Sequence, residues 1–140
     1  MKIMGLDYGT KRIGVSLSDE LYITAQGTDT IYRKDIKADL DRIAGIIKEN
    51  NVIEVVVGLP ISMNGTHSQK TKEVLEFIDV LSKAISVPVK MQDERLTTVQ
   101  AERAMMEAGM NGFKRRKLAD KVASGLILQS YLDSRKRGQV

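Results

Sequence analysis

The chain has 140 residues, a formal net charge of +4, 42% hydrophobic residues, one histidine and no cysteine. That length fits one domain with a sizeable buried core. The composition leaves out disulfides, thiolate metal sites, a cysteine nucleophile and zinc sites built on histidine pairs. No apolar run reaches the length of a membrane span, and Met1-Lys2-Ile3-Met4-Gly5 carries no signal-peptide pattern. The expectation is a soluble, cytoplasmic protein without a membrane partner.

Charge is unevenly spread. Residues 111–140 hold eight basic residues against two acids, while the residues before them hold 14 basic and 16 acidic. The positive excess therefore lies at the C-terminal end. Such a patch suits a polyanion, most commonly a phosphate backbone, although a solvated helix end has the same composition.

Residues 2–8 read as a buried strand. Gly9-Thr10-Lys11 turns the chain, and residues 13–18 alternate as a second strand. Residues 21–33 read as a third strand, broken at Gly27. Residues 36–50 read as a helix, with Ile36, Leu40, Ile43 and Ile47 on its apolar stripe and Asp39, Asp41 and Lys48 elsewhere on the wheel. Val52 to Val57 is apolar apart from Glu54, as in a strand covered on both faces, and Gly58-Leu59-Pro60 is expected to stop it. Asn64-Gly65 marks a turn. Thr66 and Gln69 fit a capping box for a helix whose inner face is Val74, Leu75, Ile78 and Leu81. Residues 87–91 form a short strand, and Pro88 places it at an edge or marks its first residue. Residues 97–108 and 114–136 read as helices. The order βββαβαβαα predicts an α/β fold. Its mixed sheet has three antiparallel strands, then crossover strands, with helices on both faces.

Three acidic positions lie where acids are costly. Asp7 ends one apolar strand and Asp93-Glu94 end another. Asp120 sits in the last helix between Leu118, Val122 and Leu126 on one side and Ala123 and Ile127 on the other. Buried carboxylates need a partner, a proton or a metal. Each alone reads as a capping or ion-paired acid, and Arg116 is a surface partner within reach of Asp120. Together they suggest a site for a hard cation, Mg²⁺ or Mn²⁺, because the set contains neither His nor Cys. Two such ions about 4 Å apart clamp the attacking and leaving oxygens of phosphoryl transfer.

The turn Asp7-Tyr8-Gly9-Thr10, with Gly14 four residues on, is the sharpest local signal. Its glycine permits close approach of a phosphate or a metal-bound oxygen, and Thr10 and Lys11 add a hydroxyl and a charge for the substrate. The same turn opens sugar kinases and actin-like ATPases, so an ATP-binding protein is an alternative of another class. A plain hairpin would also use glycines there. Alternation sets Val87, Val89, Met91 and Asp93 on an apolar face and Lys90, Gln92 and Glu94 on a polar one. Asp93 then suits a helix cap, with Glu94 the longer reach toward a metal held by Asp7.

The sequence resembles the bacterial RNase-H-like family of pre-16S ribosomal RNA nucleases, also called Holliday-junction-resolvase-like. The resemblance spans nearly the full chain. It rests on LDYGTKRIGVSLSD at 6–19, VVVGLPISMNGT at 55–66, DERLTT at 93–98 and D-x-x-A-S-x-x-I-L at 120–128. It implies an RNase-H-like fold and metal-dependent cleavage of structured nucleic acid. The implied role is 5′-end processing of pre-16S rRNA in ribosome biogenesis, with Holliday junction resolution in DNA recombination as the alternative. By matching positions, Asp7, Glu94 and Asp120 are the implied catalytic acids and metal ligands. Gly125 sits inside that helix where a small residue is usual, at a cost of roughly 1 kcal/mol relative to Ala.

Arg95, beside Glu94, is a candidate for the scissile phosphate, and Lys114, Arg115, Arg116 and Lys117 are candidates for the flanking backbone. His67 reads as a surface residue, Met105 and Met106 as core fillers, and Tyr8 as packed against a neighbouring helix. Aromatic residues, at 4%, are too few for a base-stacking platform. The expected partner is thus the backbone of pre-rRNA or branched DNA. The chain is expected to be a monomer or a homodimer, and symmetric junction cutting would need the dimer.

Overall fold

The computed structural model describes the backbone of residues 1–60, 68–94 and 112–136, with side chains in these ranges except at 94, 112–120 and 136. The described elements are β1 (Lys2–Tyr8), β2 (Arg12–Ser18), β3 (Ala25–Tyr32), α1 (Ile36–Glu49), β4 (Val52–Pro60), α2 (Gln69–Ala84), β5 (Val89–Glu94) and α3 (Gly112–Lys136). The strands form one sheet in the order β3-β2-β1-β4-β5. β1 pairs antiparallel with β2, and β2 with β3, while β4 runs parallel to β1 and β5. This is the expected mixed sheet.

Strand alternation divides the core. Met4, Leu6, Val55, Val57 and Leu59 pack with Ile43 of α1 and Val74, Phe77 and Leu81 of α2. Ile3 and Val56, of the opposite parity, pack with Ile127, Leu128 and Leu132 of α3. The sheet is thus covered on both faces, and α3 alone of the described helices covers the second.

Several boundaries differ from expectation. β3 starts at Ala25, because Asp19 claims the preceding residues for a turn: its Oδ1 accepts from the Ile23 and Thr24 amides at 2.7 and 3.1 Å. Gly27 does not break β3. It lies inside the strand where α3 crosses, and a Cβ there would stand 2.5 Å from the Lys121 carbonyl oxygen. β4 continues through Gly58-Leu59-Pro60, because β5 pairs with it as far as Pro60↔Glu94. β5 is an edge strand starting just after Pro88, and it runs to Glu94. The α2 capping box is Ser68 with Thr71, not Thr66 with Gln69. The α1 stripe is rotated, so that Ile36 is 43% exposed and Asp39 only 2%. The expected helix at 97–108, Asn64, Gly65, Thr66, His67, Arg95, Met105 and Met106 lie outside the described residues.

Candidate active site

The carboxyl ends of the parallel strands β1, β4 and β5 lie along one edge of the sheet. Open α/β sheets form their ligand sites at that edge. Leu6 pairs with Val57, and Val57 with Met91. Position 7 therefore falls on the same face as positions 92 and 94, and on the face of Ile3 and Gly5 earlier in β1. That is the face covered by α3. Asp93, paired with Leu59, has the opposite parity, the face of α1 and α2.

The path of α3 supplies the third position. Tyr131 donates its hydroxyl to Glu54, which pairs with Ile3. Seven residues earlier, the Ser124 hydroxyl donates to the Gly5 carbonyl at 2.9 Å. Going back along α3 therefore means going forward along β1. One more turn back is position 120, on the Ser124 side of the helix. Position 120 therefore continues from the Gly5 crossing toward the Asp7 end of β1.

Asp7 is half-buried. Its neighbour across β2 is Gly14, and the residue after Val57 on its β4 side is Gly58. Neither strand beside Asp7 presents a side chain at that level. This pair of glycines flanking Asp7 is a feature that sequence reasoning missed at Gly58, read there only as a stop signal. β4 is anchored between the two acid-bearing strands by Thr71, whose hydroxyl donates to the Pro60 carbonyl.

Thr10 and Lys11 are exposed in the turn between β1 and β2. A Cβ on Gly9 would stand 2.7 Å from the Arg12 carbonyl oxygen, so the turn itself requires this glycine. Tyr8 stacks on Phe77 of α2 at a centroid separation of 4.3 Å, packing as expected. Lys114, Arg115, Arg116 and Lys117 fall in the first turns of α3. The side chains of those four residues, of Glu94 and of Asp120, and all of Arg95, lie outside the described residues. Among the described residues no three acids or histidines converge on a point.

Two polar groups were not read from the sequence. Asp39 is buried in α1, where it accepts from Arg33 Nε at 3.0 Å and from the Lys34 amide at 3.1 Å. Its spacing of four from buried Ile43 was the available signal. Glu54, the exception in an apolar strand, is the partner of Tyr131. Burial first, and then the Glu54 hydrogen bond and charge, push the Tyr131 phenol up to about 12.

A family model described as RuvX: Holliday junction resolvase matches residues 1–134. A relative from Clostridium novyi (strain NT), named "Putative pre-16S rRNA nuclease", is 48% identical over 96% of this chain and 99% of its own. One of the same name from Clostridium acetobutylicum is 50% identical over the same shares. Among solved structures, T. thermophilus RuvC in complex with Holliday junction substrate aligns with a TM-score of 0.56 and 19% identity, over 97% of this chain and 96% of that one. The Fowlpox virus resolvase in complex with Holliday junction DNA aligns at 0.57 and 16%, over 96% and 99%. The fold is RNase H-like, as in these RuvC-like resolvases.

Proposed function

Because this chain belongs to the RuvX Holliday junction resolvase family, we propose that it is a nuclease, a metal-dependent hydrolase of phosphodiester bonds in structured nucleic acid. The observation that carries the reading is geometric. Positions 7 and 94 share one sheet face at its carboxyl edge, and α3 covers that face, running from the Gly5 crossing toward the Asp7 end of β1. The name borne by the relatives at 48–50% identity favours pre-16S rRNA as substrate, and 5′-end processing is the role that the sequence resemblance implies. The family description keeps branched DNA as the second reading. The protein would act in the cytoplasm, as one domain, monomer or homodimer.

Asp7, Glu94 and Asp120 would hold Mg²⁺ or Mn²⁺. Gly14 and Gly58 flank Asp7 in the sheet, and a carboxylate-only donor set suits hard cations. Bound there, such a cation supplies positive charge against the charge that builds on the phosphate oxygens in the transition state. The chain's own groups do the rest. Thr10 offers a hydroxyl and Lys11 an ammonium to non-bridging oxygens beside Asp7, and Arg95 a guanidinium beside Glu94. Lys114, Arg115, Arg116 and Lys117 hold flanking phosphates. Tyr8, engaged with Phe77, is not available to stack on a base.

The test is incubation with end-labelled pre-16S rRNA and with a four-way DNA junction, each in Mn²⁺ and in EDTA. Cleavage of the RNA in Mn²⁺ alone is expected. Faster cutting of the junction would make the protein a resolvase, and cleavage of neither would overturn the nuclease reading.

A further inference from the structure

The turn after Asp7 is held by a residue from beyond β3. Arg33 donates its backbone N–H to the Lys11 carbonyl at 2.9 Å. Its Nη1 lies 2.6 Å from the Tyr8 hydroxyl and 3.2 Å from the Gly9 carbonyl oxygen. The guanidinium sits 4.6 Å from the centroid of the Tyr8 ring, whose ring is also stacked on Phe77. One residue thus grips positions 8, 9 and 11, and Thr10 is the exposed residue left between the grips.

Arg33 is itself seated. Asp39, 2% exposed, takes its Nε at 3.0 Å, and the Arg33 side chain is 19% exposed. A buried ion pair is weak evidence for stability, because apolar residues of equal volume commonly do as well. What such a pair provides is direction. The guanidinium is a planar fork that can serve a carboxylate on one side and two oxygens on the other, which a single ammonium cannot span. With its charge matched by Asp39 and its Nε and Nη1 engaged within the chain, Arg33 is placed to act on the turn.

We propose that Arg33, seated by Asp39, is a positioning residue that fixes the Tyr8–Lys11 turn so that Thr10 and Lys11 meet the phosphate held against Asp7. The proposal rests on the nuclease reading above. It separates two roles of the same hairpin: Asp7 is set by the β1–β2 ladder, whereas the turn beyond it is set by Arg33, just past β3, with Asp39 of α1 behind it.

The test compares the unsubstituted protein with Arg33→Lys and Tyr8→Phe. It reads thermal melting, amide exchange across residues 8–12, and single-turnover cleavage of pre-16S rRNA in Mn²⁺ at saturating substrate. Arg33→Lys should remain folded with its nucleic-acid affinity intact. Amide exchange in the turn should rise at least roughly tenfold, and the cleavage rate should fall on the order of 10- to 100-fold, the scale of a misplaced reactive group. Tyr8→Phe, which removes one grip of three, should give a smaller change in the same direction. Wild-type cleavage by Arg33→Lys would overturn the proposal, and so would a rate loss that merely tracks the unfolded fraction. Failure of the nuclease reading is recognised separately, because the unsubstituted protein would then cleave nothing.

Discussion

Gly5 and Ser124 meet where α3 crosses β1. The Ser124 hydroxyl donates to the Gly5 carbonyl at 2.9 Å, and Ser16 donates to the Ser124 carbonyl at 2.9 Å. A Cβ on Gly5 would stand 2.8 Å from Leu128 Cβ and 3.2 Å from the Ser124 carbonyl oxygen. The absent side chain lets the helix sit low on the sheet, and the two serines fix its register. That register directs the start of α3 toward the Asp7 end of β1.

The two glycines at this crossing should respond oppositely to alanine. Gly5→Ala presses on atoms of α3 that cannot rotate away and should cost about 1–3 kcal/mol, as overpacking does. At Gly125 the added Cβ would meet only the Gly27 amide nitrogen, at 3.5 Å, an ordinary contact. Gly125→Ala should therefore gain up to about 1 kcal/mol from helix propensity. Urea midpoints measure both, and a destabilised Gly125→Ala would show that α3 needs more room at Gly27 than this spacing gives.

Much of this was legible in the residues, and the misses have physical causes. The element order, the antiparallel opening and the two-faced covering follow from periodicity and turn residues. The end of β4 was misread because Gly58 and Pro60 are local stop signals, whereas pairing with β5 is a tertiary effect. Gly27 was misread for a related reason: its role is set by α3, nearly a hundred residues away. Asp39 looked solvated because its partner, Arg33, lies outside the helical wheel. At the site, the candidate acids come from the motifs. The common face of positions 7 and 94 needed the register, which puts position 94 rather than 93 on the side of α3.

Tyr131 should ionise late. Folding favours its neutral form, so its contribution to stability is complete below the ordinary tyrosine value near 10 and is lost as pH rises toward about 12. Tyr131→Phe should remove the component near pH 12 from the ultraviolet phenolate titration and flatten the alkaline decline in stability. Loss of a component near pH 10 instead would mean that burial and Glu54 do not hold the phenol neutral.

The basic start of α3 should act through phosphates and not through sequence. Alanine at Lys114, Arg115, Arg116 and Lys117 should each weaken binding to all nucleic acids alike. Each should lower the slope of log affinity against log salt by about one or less. A quadruple variant with an unchanged slope would make this segment a solvated helix face.

Glu94 and Asp93 should separate by phenotype. Glu94→Gln should abolish cleavage and weaken Mn²⁺ binding with little change in melting temperature, because position 94 shares the face of Asp7. Asp93→Asn, on the opposite parity, should leave turnover and cost about 1 kcal/mol if it caps a helix. Turnover, Mn²⁺ affinity and melting decide between them, and the reverse pattern would move the ligand to Asp93.

The most direct test of the acid site is the single-turnover rate of pre-16S rRNA cleavage in Mn²⁺ and in EDTA, for the unsubstituted protein and for Asp7→Asn. Chelation should lower the rate by at least about 10²–10³. Asp7→Asn should show a comparable loss in Mn²⁺ while keeping its fold. Undiminished cleavage in EDTA, or full activity of Asp7→Asn, would contradict a metal-dependent site built on Asp7.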